Sequence, residues 1–142
     1  MITVQQVFDM AIHLMDEQNE QNGHTQHADT DEYRYRTISI LNSVIPALYL
    51  YSGNYKSGST GRPRSPLLYT EDYENPDFEQ GIPLDDDLSA ALLPYYLAGQ
   101  LTAVENDALS SFFMARYREV FYDIRNKLPA SFESISTPYG LF

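Results

Sequence analysis

Apolar residues recur at spacings of three and four over four stretches of the chain, and polar residues fill the positions between them. This period places an apolar stripe on one side of a helix. In the first stretch the stripe is Val4, Val7, Phe8, Ala11, Ile12 and Met15, on a helix expected over about 4–20. Thr3 and Gln6 have the spacing of a capping box, in which a hydroxyl and a side-chain amide satisfy free backbone amides of the first turn. "EQNEQNGHTQHADTD" has no apolar period, and Gly23 is the expected stop. The second stripe, Tyr33, Thr37, Ile38, Leu41, Val44, Ile45 and Leu48, predicts a helix over 31–50, capped by Asp29 or Thr30. Pro46 lies inside the period. It lacks a backbone donor and crowds the preceding turn, so a kink or an end is expected near Val44 and Ile45.

The third helix is expected over 85–104, with Leu88, Ala91, Leu92, Tyr95, Ala98, Leu101 and Val104 on its stripe. Pro94 interrupts it, yet the stripe keeps its register on both sides, which predicts one bent helix. Ala98 and Gly99 leave room for another helix to approach. The fourth helix, 108–128, carries Leu109, Phe112, Phe113, Arg116, Tyr117, Val120, Phe121, Ile124 and Leu128, with Lys127 at the negative end of its dipole. Few residues separate the third and fourth helices, so they should form an antiparallel hairpin. The fold expected is all-α: a four-helix bundle-like domain over 1–128, a long irregular loop at 52–82, and an extended C-terminal tail at 129–142.

Two segments break the periodicity. "SGNYKSGSTGRPRSP" is rich in Gly, Ser and Pro and holds Lys56, Arg62 and Arg64, a third of the nine basic residues. Loops this long in a compact domain are usually functional or disordered. Within 52–82, "LLYT" has the composition of a short strand and "EDYENPDFEQGIP" is acidic. The tail "PASFESISTPYGLF" contains Phe132, Ile135, Tyr139, Leu141 and Phe142, more apolar surface than a solvated end requires. These eight residues of loop and tail are the candidate protein-interaction residues.

Composition narrows the chemistry. A chain of 142 residues can bury about 68% of its unfolded surface without a disulfide or metal staple. The absence of cysteine removes disulfides, thiolate metal sites and cysteine nucleophiles together. No apolar run approaches the ~18 residues of a membrane span. The first twenty residues are amphipathic and acidic, unlike a signal peptide. The reading is a soluble, intracellular protein with no membrane partner. A formal charge of −11 disfavours general nucleic-acid binding and leaves open docking on a basic protein surface.

No catalytic constellation emerges. Asp85, Asp86 and Asp87 are consecutive, so on a helix they point about 100° apart and cannot converge on one ion. They suit the positive end of a helix instead. His24 and His27 lie in a polar loop without a third ligand. His13 borders the first stripe. "GSTG" lacks the lysine of a phosphate loop. No cofactor or metal site is expected, and the chain does not read as an enzyme.

The run "IPLDDDLSAALLPYYLAGQLTAVEN" resembles the late segment of the head-to-tail connector, or adaptor, proteins of tailed bacteriophages, with Ile82, Pro83, Leu84, Ala91, Leu92, Tyr95, Leu97 and Ala98 matching. "VFDMAIHLMDE" and "RTISILNSVIPALY", including the Leu41–Asn42 pair, resemble the first two helices of such proteins. The resemblance spans roughly 1–52 and 80–128. It implies a prophage-encoded, non-catalytic head-completion protein that assembles in the bacterial cytoplasm and resides at the virion head–tail junction. It further implies a ring of copies between the portal protein and a head-completion or tail protein, with DNA only as passing cargo in the channel. The basic loop keeps three readings: contact with DNA, pairing with the acidic 71–87 of a neighbouring subunit, or plain solvation. A small acidic regulatory or inhibitory binding module, a DNA mimic or an antitoxin-like protein, is the alternative.

Overall fold

A computed structural model describes residues 1–52, 67–72 and 75–126, apart from the side chain of Leu50. The described chain is helical: α1 (Val4–Met15), α2 (Asp31–Leu48), α3 (Asp86–Thr102) and α4 (Asp107–Asn126), with short 3-10 turns at Ala28–Thr30 and Tyr49–Tyr51. The fold is all-α and bundle-like, as the periodicity predicts. Among the described residues no helix is long and apolar enough to cross a membrane.

α1 starts where its cap dictates. Thr3 Oγ1 accepts from the Gln6 amide at 3.2 Å, and Gln6 Oε1 accepts from the Thr3 amide at 2.9 Å. The next free amides, of Val4 and Gln5, donate to the carbonyls of Gln80 and Phe78. The segment before α3 is thereby bound to the start of α1, and Phe78 packs on Phe8 with ring centroids 5.2 Å apart. The six stripe residues are all buried. The helix ends at Met15, short of residue 20. Asp16 adopts the left-handed conformation (φ 58°), its amide reaches the His13 carbonyl, and the Glu17 amide reaches that of Ile12. This is a Schellman closure made by an aspartate, a residue that tolerates this conformation better than most. Gly23 does take a positive φ, 73°, but inside the following loop.

α2 buries the whole expected stripe. It runs through Pro46 without ending at Ile45, because tertiary packing of Val44, Ile45 and Leu48 outweighs one lost backbone bond. Neither expected cap operates through its side chain at the start of α2. Thr30 Oγ1 instead donates to the Thr25 carbonyl at 2.7 Å and accepts from the His27 amide. The sequence "LLYT" forms no strand. Asn42 on α2 brackets Leu68 instead, accepting from its amide at 2.7 Å and donating to its carbonyl at 3.1 Å, and Gln80 brackets Tyr69 likewise. Two side-chain amides replace a partner strand.

α3 is the centre of the molecule. It lies antiparallel to α2, from Tyr33–Glu105 at one end to Ser52–Asp85 at the other. It runs in the same sense as α1, and α4 folds back on it as a hairpin. A helix packed on several sides has no single stripe: Leu93, Leu97 and Gly99 are buried as well as Leu88, Leu92, Ala98 and Leu101, whereas Val104 is 79% exposed just beyond the helix. α3 continues through Pro94 from Asp86 to Thr102. The small pair does admit a close neighbour. A Cβ at Gly99 would lie 2.7 Å from Met114 Sδ, and Ser110 Oγ donates to the Gly99 carbonyl at 2.7 Å.

Candidate functional site

α4 is amphipathic but incompletely covered. Of its apolar stripe only Phe113 is buried; Leu109, Tyr117, Val120, Phe121 and Ile124 are half-buried, and Phe112 is 56% exposed. The covered side is aromatic. Tyr117 lies 5.3 Å from the Tyr96 ring, and Phe121 stands edge-on to Tyr51 at 5.3 Å. Burial, and secondarily Tyr96, raises the Tyr117 phenol above its ordinary range. Ser43 hydrogen-bonds Tyr96 at 2.8 Å, joining α2 to this aromatic layer.

On the other side of α3, α1 and α4 form the walls of a groove of about 530 Å³. Its floor is Ala90, Ala91, Pro94 and Tyr95 of α3. One wall is Met10, His13 and Leu14; the other is Arg116 and Val120. Met10 and Leu14 are 41% and 39% exposed and extend the apolar surface beside the buried stripe. The floor is made mostly of small residues, so an incoming chain can approach closely. Arg116 is the groove's fixed cation. Its guanidinium lies 5.6 Å over the Tyr95 ring and pairs with Glu119; Tyr95 first, and then Glu119, hold it more firmly charged. Apolar walls, a small-residue floor and one cation at the edge can bind a peptide or helix face.

The aspartates at the start of α3 serve the fold. Asp85 Oδ1 accepts from Ser52 Oγ at 2.9 Å while the Asp85 amide donates back at 3.1 Å, and Asp86 Oδ1 accepts from the Ile2 amide at 3.0 Å. Among the described residues no group of three or more His, Asp or Glu is placed to hold a metal ion. A polar hollow beside α1 brings together Asp9, His13 and His24. Asp9 Oδ1 is already occupied, by Gln5 Nε2 at 2.7 Å and Thr25 Oγ1 at 2.6 Å. His27 does not join His24; its Nε2 hydrogen-bonds the Glu17 carbonyl at 2.8 Å.

The eight interaction residues expected from sequence, Lys56, Arg62 and Arg64 of the loop and Phe132, Ile135, Tyr139, Leu141 and Phe142 of the tail, lie outside the described residues. Sequence reading missed the groove. Its one signal was the pair Met10 and Leu14, apolar residues just off the first stripe. No family model matches the chain, and neither does any curated protein or solved structure.

Proposed function

We propose that the protein is a non-catalytic structural subunit of a phage or prophage head–tail junction, assembling as a ring between a portal and tail-side proteins. The observation that carries this reading is the half-covered apolar face of α4 beside an open groove. A stable domain leaves such surface exposed where another chain completes it. The resemblance of 80–128 to connector proteins supplies the identity of the assembly. The charge of −11 suits a channel wall, since negative surface repels passing phosphate.

The same charge supports the second reading, an acidic module that inhibits a basic protein. Clustering of acid over 71–87 weakens it, because a DNA mimic spreads its carboxylates at phosphate-like spacing. The test is electron microscopy of the purified chain mixed with a phage portal protein, with the neighbouring genes read alongside. Rings stacked on the portal are the expected result. A chain that leaves the portal bare, from a gene with no portal or capsid gene nearby, would refute the reading.

A further inference from the structure

We infer that the α1/α3/α4 groove receives the C-terminal segment of a second copy of this chain, with Phe132 and Ile135 on its apolar floor and Glu133 at Arg116. The inference rests on the ring-forming reading and names the contact between neighbours.

Three observations converge on this occupant. The first is chemical match. The groove presents apolar walls, Met10 and Leu14 against Val120, with a single cation at its rim. The tail carries apolar residues with an acid among them: Phe132, Glu133, Ile135. It contains no Lys or Arg to oppose Arg116. Of the guanidinium's five N–H donors, some are engaged with Tyr95 and Glu119, and the rest can meet a second carboxylate.

The second is a backbone acceptor. Pro94 has no N–H, so the Ala90 carbonyl lacks its ordinary helical donor, and both residues line the floor. A peptide laid in the groove brings amides that can fill this acceptor. An apolar small molecule would not.

The third is direction. Arg116 and Val120 precede the end of α4 at Asn126 by ten and six residues. α4 therefore carries the chain beyond its own groove before the tail begins. Phe132 is six positions beyond Asn126, a reach of about 20 Å when extended. That length allows either a return to Val120, about 9 Å back along the helix, or entry into a neighbour, and the ring-forming reading selects the neighbour. A tail-into-groove contact is heterologous, using different surfaces on the two partners, and such contacts close into a ring when the rotation between neighbours closes.

The experiment uses two full-length variants in native mass spectrometry. Leu14→Asp, on the exposed groove wall, keeps the tail and spoils the groove; Val120→Asp serves the same purpose from the other wall. Phe132→Ser with Ile135→Ser keeps the groove and spoils the tail. Wild type should form species larger than a monomer, and each variant alone should be monomeric. The two mixed should give a one-to-one heterodimer, because one intact groove meets one intact tail. A monomeric wild type, a variant that assembles like wild type, or a mixture without heterodimer would overturn the inference. Portal binding is measured separately, so a wild type that assembles on the portal while the groove variants do likewise removes the groove contact and leaves the ring reading standing.

Discussion

α2 and α4 carry apolar stripes of similar length, and they meet opposite fates. All seven stripe residues of α2 are buried, whereas α4 buries Phe113 and leaves Phe112 exposed. Their polar contacts differ in the same way. On α2, Asn42 holds the backbone of Leu68, Tyr33 reaches Glu105, and Arg36 Nη2 donates to the Leu101 carbonyl. On α4, Ser110 reaches the Gly99 carbonyl of α3 near the hairpin turn, and further along Arg116 pairs with Glu119 one turn away. A stripe thus states which side of a helix faces inward, and the number of neighbours decides how much of it is covered. α2 belongs to a finished core. Among the described residues α4 has α3 on one side and Tyr51 against Phe121, and its outer face is open.

The contrast can be broken most directly at Leu41, which is fully buried. Leu41→Ala should cost about 2–5 kcal/mol in urea unfolding, as other large-to-small core changes do. A cost below that of a surface change would mean that α2 is not core. Next comes Asn42→Ala. It removes both bonds to Leu68 and leaves a part-buried amide without a partner, for about 1–3 kcal/mol. Asn42→Asp should recover the accepting half alone.

Tyr33→Phe is expected to cost about 1 kcal/mol, since Glu105 remains exposed and can return to water. It carries a pH signature. Burial first, and the Glu105 carboxylate second, push the Tyr33 phenol well above its ordinary range. A group whose folded-state value is raised stabilises the fold below the unfolded value and loses that contribution as pH climbs past it, here above about 10. The variant should therefore lose stability less steeply in alkali than wild type, and parallel alkaline profiles would contradict this assignment. The smallest effect is expected on α4. Phe112→Ser should change the subunit's stability by no more than about 0.5 kcal/mol. A loss as large as that of Leu41→Ala would show that the α4 face is already covered within the subunit.

Much of the fold was legible because local physics sufficed. The capping box at Thr3 and Gln6, and the stripes of α1 and α2, follow from spacing alone. The failures have named causes. Asp16 closed α1 by a left-handed turn available to several residue types, so no glycine marked it. Leu93 and Leu97 fell off the expected stripe because a helix surrounded by three others has no single inward side. Asn42 and Gln80 replaced a strand by side-chain bonds between distant positions, which no local pattern encodes. The groove was hidden for the same reason: Met10, Ala91 and Val120 meet only after three helices pack.

The central claim is that α4's exposed face is a contact between copies. Sedimentation velocity over a dilution series, comparing wild type with Phe112→Ser combined with Val120→Ser, tests it most directly. Wild type should associate as concentration rises, and the variant should remain folded and monomeric. A wild type that stays monomeric throughout, or a variant that associates equally well, would contradict the account.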